Sequence, residues 1–445
     1  MATPERALGE FVATLDYEDL PERSVGTITR AFVDTVGVTL AGTAEGAGHA
    51  AVESAGPRPA DGSPATLLGV DADDPPASVA LRVGTAGHAL DYDDLSWAMN
   101  GHPSVTLVPP LLALAEEADA DGRDLVTAYA AGFEIECALA APISPAHYED
   151  GWHATATFGT FGAAAAAARL LGLDAEATRR ALCIAASMPA GLKRNFGSMT
   201  KPLHAGLCSR SGVTAARLAR EGLTADAAAV SGEKGFWDLY GPEERGTFAV
   251  GDRWWLREEG INVKAYPCCY FTHAAIAATQ DIVADGVDPT EVERVTVEAG
   301  PGAADALHHP DPDTGLEAKF SMEYCVASAA VRDRVGLGAF RDDAVDDPTV
   351  QALRERVSFE VDDTLDYDSH EAVVRVEAGD GTVERRRENP PGTHDDPLPE
   401  ADFRAKFTEC AGTVLADGAA EGLYESLSSF ASIPELQAAL RVDAR

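Results

Sequence analysis

The stretch 159–171, GTFGAAAAAARLL, constrains this chain more than any other. Alanine and glycine give a helix little apolar surface of its own, so a helix of this composition persists only when other helices close around it. The surrounding sequence offers them. Helical patterning runs through residues 20–40 (with Ala31, Val33, Val36 and Leu40 among the apolar positions), 112–118, 122–140, 174–186 and 205–221. The acidic first turn of 174–186 is a helix-start signal. From Pro4 to about Gly260 the pattern is helical, which implies an α-helical bundle.

Beyond about Tyr266 the period changes. Residues 291–299 alternate with period two and read as a strand, as do 357–361. Residues 372–377 and 382–387 flank Ala378-Gly379-Asp380-Gly381, a hairpin signal. Helical patterns at 320–333 and 347–356 lie among these strands, and helices return at 400–415 and 433–440. The expected organisation is mainly α: a helical domain over 1–265, an α+β domain over 266–397, and a return segment over 398–445 that rejoins the first. With 445 residues the chain is long enough for two cores.

Charge narrows the partners. Acidic residues outnumber basic ones 73 to 35, giving a net charge of −38, in short clusters such as 71–74 and 342–347. Such a surface repels itself at low salt. At about 1 M salt the screening length falls to roughly 3 Å, so a salty cell interior is the simplest home. Neither nucleic acid nor a membrane is an expected partner, because the basic face that nucleic acid and anionic lipid require is missing. No apolar run of about 18 residues reads as a membrane span. Seven cysteines, an odd number with no C-x-x-C, and no secretory signal point to reduced thiols in the cytoplasm. Only six of the 35 basic residues are lysines, and four of these (Lys193, Lys201, Lys264 and Lys319) fall in or beside the motifs below.

Five segments concentrate chemistry. Gly87-His88-Ala89-Leu90-Asp91-Tyr92-Asp93-Asp94, followed by Gly101-His102-Pro103-Ser104, packs three carboxylates and two histidines between helices. An aspartate beside a histidine fixes its tautomer and raises its basicity; alone, the acidic run also fits a solvated loop. Gly151-Trp152-His153-Ala154-Thr155-Ala156-Thr157 sets a histidine and two threonines before the alanine-rich helix, where free N–H groups attract anions or simply cap. Thr200-Lys201-Pro202-Leu203-His204 opens another helix with a cation and a proton carrier suited to a carboxylate. Lys264-Ala265-Tyr266-Pro267-Cys268-Cys269-Tyr270-Phe271-Thr272-His273 stands where the pattern changes. Its adjacent cysteines lack zinc-site spacing, and the scattered seven do not form a cluster-ligating set, so no metal or other cofactor is expected. Ala318-Lys319-Phe320-Ser321-Met322-Glu323-Tyr324-Cys325 offers Tyr324 as a proton donor or as core. Gly-rich nucleotide loops, a G-x-S-x-G elbow and H-E-x-x-H are all missing.

In order, HALDYDD…GHPS, GWHATATFGTFGAAAAAARLLGL, GSMTKPLHAG, YPCCYFTH and AKFSMEYCVA resemble the MmgE/PrpD family, which includes 2-methylcitrate dehydratase and cis-aconitate decarboxylase. The resemblance implies a helical domain built from both chain ends with an inserted α+β lid, a homodimer, no required metal and a small polycarboxylate substrate. By motif position it implies a site made of Asp91, His102, His153, Lys201, His273 and Tyr324. The family often has a threonine after its acidic run; this chain has Leu95 and then Ser96, so Ser96 is the candidate replacement. The expected reaction is elimination of water from 2-methylcitrate. Lys201, helped by His204, stabilises the charge that builds on the substrate carboxylate. His102, oriented by Asp91, and His153 form the acid/base pair in either order. His273 and Tyr324 contribute from the lid. Decarboxylation of the cis-aconitate type or epimerisation would use the same groups, and a binding protein without turnover is the remaining class.

Overall fold

The computed structural model describes residues 3–54, 64–68, 74–379, 381–416 and 418–440. Asp71 and Asp73 of the first acidic cluster and Asp380 of the hairpin signal lie outside the described residues. Two compact units emerge: Met1–Asn195, Met199–Val263 and Pro399–Arg445 form one; Phe196–Ser198 and Lys264–Leu398 form the other.

The first unit is helical. Its main helices are α1 (Ser24–Gly42), α2 (Pro76–His88), α3 (Ser104–Leu114), α4 (Gly122–Ala140), α5 (Ala154–Leu170), α6 (Ala175–Ala185) and α7 (Thr200–Arg220), with a later helix, Glu400–Ala411, packed on α1. The alanine-rich α5 lies among α3, α4, α6 and α7, and every residue from Ala154 to Ala168 is buried. It starts earlier than its composition suggests: His153 is the N-cap, so Thr155 and Thr157 sit inside its first turn. Likewise α3 contains Pro109 and Pro110 instead of following them. The prolines lack the N–H groups that would bond Val105 O and Thr106 O four residues back. Ser209 Oγ lies 3.4 Å from each of those carbonyls, so a neighbouring helix covers them. The helical expectation fails between α7 and residue 263, where the described helices are the short Phe236–Tyr240 and Trp255–Glu258. Frequent glycines, four of them between 232 and 246, break the period there.

The second unit carries a four-stranded mixed sheet of β1 (Val292–Ala299), β2 (Val357–Val361), β3 (Ala372–Ala378) and β4 (Gly381–Arg387), in the order β2-β1-β3-β4. β1 runs parallel to β2 (Val295 opposite Val357) and antiparallel to β3 (Val297 opposite Val374). α8 (His273–Ala284) packs on β3 and β4, while α9 (Met322–Val331) packs on α8 and β2. Buried Val295, Val297, Val374 and Val376 form one face of the sheet. Among the described residues no helix is long and apolar enough to cross a membrane. All seven cysteines are buried, and none forms a disulfide.

Small residues let the helices of the first unit approach until backbones touch. A methyl group at Gly206 of α7 would lie 2.2 Å from Leu81 O and 2.2 Å from Thr85 Oγ1 of α2. Both helices carry residues of the site described next. We therefore expect Gly206→Ala to destabilise the fold by about 1–3 kcal/mol, read as a lower melting temperature, because main-chain atoms must yield. An unchanged melting temperature would mean that α2 and α7 are less tightly opposed than this.

Candidate active site

α2 ends on His88, and the chain turns immediately through Ala89–Asp94. Asp91 adopts the left-handed conformation (φ 52°). That turn separates the two aspartates of the DYD run. Asp93 faces back onto His88, whose Nδ1 lies 2.8 Å from Oδ2 and 3.0 Å from Oδ1. His102 Nδ1 lies 3.2 Å from the same Asp93 Oδ2, while its Nε2 is 3.8 Å from Asp91 Oδ1. Asp91 is engaged elsewhere: Lys201 Nζ, in the first turn of α7, donates to its Oδ1 at 2.8 Å. The expectation that Asp91 orients His102 is therefore corrected. Asp93 is the closer partner, because Asp91 answers the ammonium.

The N-cap of α5 brings in a third imidazole. His153 lies face to face with His88 at 5.6 Å between ring centroids, and His88 meets His102 edge-on at 4.6 Å. His204, one turn beyond Lys201, places Nδ1 3.1 Å from His153 Nδ1. This geometry needs one donor and one acceptor, hence complementary tautomers. His204 thus pairs with His153 instead of extending Lys201's grip on an anion. Thr155 Oγ1 accepts from the His102 N–H at 3.1 Å, so this hydroxyl anchors the His102 loop to α5.

Three predicted residues have other partners. Ser96 is fully buried and its Oγ donates to Gly260 O at 2.9 Å, which makes it a strut for the loop. His273 and Tyr324 belong to the second unit. His273 Nε2 donates to Cys268 O at 3.3 Å between the rings of Tyr266 and Tyr270. The Tyr324 hydroxyl donates to Ala339 O. A phenol with that partner, pushed up to about 12 chiefly by burial, is held as a core hydroxyl.

Sequence reading passed over His88 and Asp93 as individual site residues, although both stand in the quoted motif. Burial would push Asp93 up, but charge and hydrogen bonds from His88 and His102 outweigh it and hold the carboxyl well below its usual range. Burial pushes His88 down to about 4 against the pull of Asp93. It does the same to His204, to about 4, with Lys201 adding repulsion, and it holds His153 well below its usual range, with His88, Lys201 and His204 adding repulsion. Asp94, behind them, is pushed well above the carboxylate range by burial and hydrogen-bonds the Ser104 hydroxyl. One ligand atom each from His88, Asp91, Asp93 and His102 lie within 4.8 Å of one another, a spacing that could hold a cation. Lys201 already places a positive charge on Asp91 in that set.

His88 should remain neutral across pH 5–8, its Nδ1–H on Asp93, and titrate near 4 by 15N imidazole NMR, with its signal assigned through His88→Gln. The unfolded histidine binds its proton near 6.5, so the unfolded state gains protons first as pH falls. The His88 contribution is therefore a loss of stability between about 6.5 and 4, on the order of a few kcal/mol, and His88→Gln removes it. A midpoint near 6.5 in the folded protein would contradict this.

The MmgE/PrpD N-terminal domain model matches residues 6–248 and the MmgE/PrpD C-terminal domain model matches residues 266–427. The chain is 29% identical over 367 residues to cis-aconitate decarboxylase of Mus musculus, covering 78% of this chain and 74% of that protein. It is 27% identical over 432 residues to cis-aconitate decarboxylase of Homo sapiens, covering 94% and 89%. It is 24% identical over 371 residues to cis-aconitate decarboxylase of Aspergillus terreus, covering 76% and 75%. With both family domain models matched over most of its length, this chain belongs to the MmgE/PrpD family.

Proposed function

We propose that this protein is a carbon–carbon lyase that removes CO2 from a small unsaturated tricarboxylate of the cis-aconitate kind. One observation carries the reading: Lys201 on Asp91, His88 and His102 on Asp93, and the His153–His204 pair stacked against His88 form a buried cluster of the helical unit. The relatives named above support loss of CO2 over the loss of water expected from the motifs.

cis-Aconitate carries one carboxylate on the carbon next to its double bond. When that carboxylate leaves as CO2, the bonding pair forms a new double bond, the old double bond shifts its electrons to its far carbon, and that carbon takes a proton. A trianion and one proton become a dianion and CO2. The site must therefore hold carboxylates and deliver one proton. Lys201 serves the first need by exchanging part of its contact with Asp91 for a substrate carboxylate. His102 serves the second: its side chain is 13% exposed, against 0% for His88, so it is the more accessible imidazole on Asp93. Asp93 orients His102 and stabilises its protonated form. The His153–His204 pair stands beside it as a second proton store.

Purified protein incubated with cis-aconitate should release CO2 and form an unsaturated dicarboxylate, and Lys201→Ala or His102→Ala should lower kcat/KM at least about 100-fold. Water loss from 2-methylcitrate with no CO2 from cis-aconitate would overturn the reading. Asp93→Asn should lower kcat by roughly 100-fold with a smaller change in KM, because the amide cannot stabilise an imidazolium. Equal kcat in that variant would remove Asp93 from the mechanism.

A further inference from the structure

We propose that Lys406 is a positioning residue for the reaction, fixing the main chain between Asp91 and Asp93 from a helix more than 300 residues away in sequence. The proposal rests on the reading of this cluster as the catalytic centre.

Lys406 lies in Glu400–Ala411, the helix that returns to the first unit, which we label α10. Its Nζ donates to Tyr92 O at 2.8 Å, pairs with Asp34 Oδ1 of α1 at 2.7 Å, and sits 4.1 Å above the Tyr92 ring. Both charged side chains are 2% exposed. Tyr92 is the residue between the two aspartates, so its carbonyl fixes the peptide that directs Asp91 toward Lys201 and Asp93 toward His88 and His102. Asp91 holds a left-handed conformation, which a non-glycine residue keeps only when its surroundings impose it.

Stability alone is a weak explanation for such a pair. A buried ion pair gains little over apolar residues of the same shape, because both charges must leave water. What it does supply is a fixed point. α1 and α10 touch closely: a methyl group at Gly37 would lie 2.7 Å from the Phe407 ring. Lys406 therefore has little freedom to follow a moving loop. A lysine also meets the geometry, since its ammonium presents separate protons to a carboxylate and a carbonyl on different elements, which the flat fork of arginine does not.

Asp34→Asn with Lys406→Met removes both charges together, so no buried ion is left alone. We expect this double variant to melt within about 5 °C of the parent. kcat on cis-aconitate should fall about 10- to 100-fold, KM should change less than about threefold, and the 15N imidazole signals of His88 and His102 should move. A purely structural pair would lower the melting temperature and leave kcat and both imidazole signals at parental values, and that result would overturn the proposal. If the parent releases no CO2 from cis-aconitate, the decarboxylase reading fails separately. The imidazole signals then decide: moved signals uphold the positioning role and unmoved signals refute it.

Discussion

A carboxylate removed from water between two imidazoles is the constraint on which this site depends. Asp93 is fully buried, and an isolated ionised carboxylate there would cost many kcal/mol. His88 Nδ1 hydrogen-bonds it and His102 Nδ1 approaches to 3.2 Å, so the three side chains form one unit. Loss of either imidazole would leave the buried Asp93 with one of its two histidine partners. The loop therefore has little latitude: Asp93 must turn back to the end of α2, and Asp91 must turn outward to Lys201.

That convergence depends on helices too closely packed for ordinary side chains. His88 ends α2, His153 caps α5, and Lys201 and His204 open α7, so three helix ends must meet within a few ångströms. The glycine contact between α2 and α7, and the alanine face of α5, bring the axes near enough. The alanine-rich stretch that most constrains the sequence thus also helps set the distances between these side chains. A packing defect at Gly206 would be transmitted to Lys201 and His204 on its own helix and to His88 on the facing one.

What the sequence displayed was periodicity. α5, α4 and the four strands follow from repeating patterns, because burial of one face is a local property of spacing. Pro109 and Pro110 misled for a physical reason: the carbonyls they leave are covered by the helix that carries Ser209, about a hundred residues away. The pairing of the aspartates was hidden in the same way. Asp91 and Asp93 are equivalent in the text DYDD, and only the left-handed turn at Asp91 sends them to different partners. Asp tolerates that conformation better than most residues, but the sequence does not mark which Asp adopts it. Lys406 carried no local signal at all, since its partners Asp34 and Tyr92 belong to distant segments.

The charge state of the cluster also bears on the proposed chemistry. Before any ligand arrives, Lys201 offsets one of the two ionised aspartates, while His88 and His204 are held neutral by burial. A polycarboxylate entering this environment would bring several negative charges against depressed imidazoles. Opposite charge nearby favours the protonated form of a histidine, so substrate binding itself would draw protons onto the cluster. Decarboxylation consumes one proton per turnover, and a site that acquires protons with its substrate has that proton in place when CO2 departs. Elimination of water has no such net demand, because the proton taken from carbon leaves with the hydroxyl.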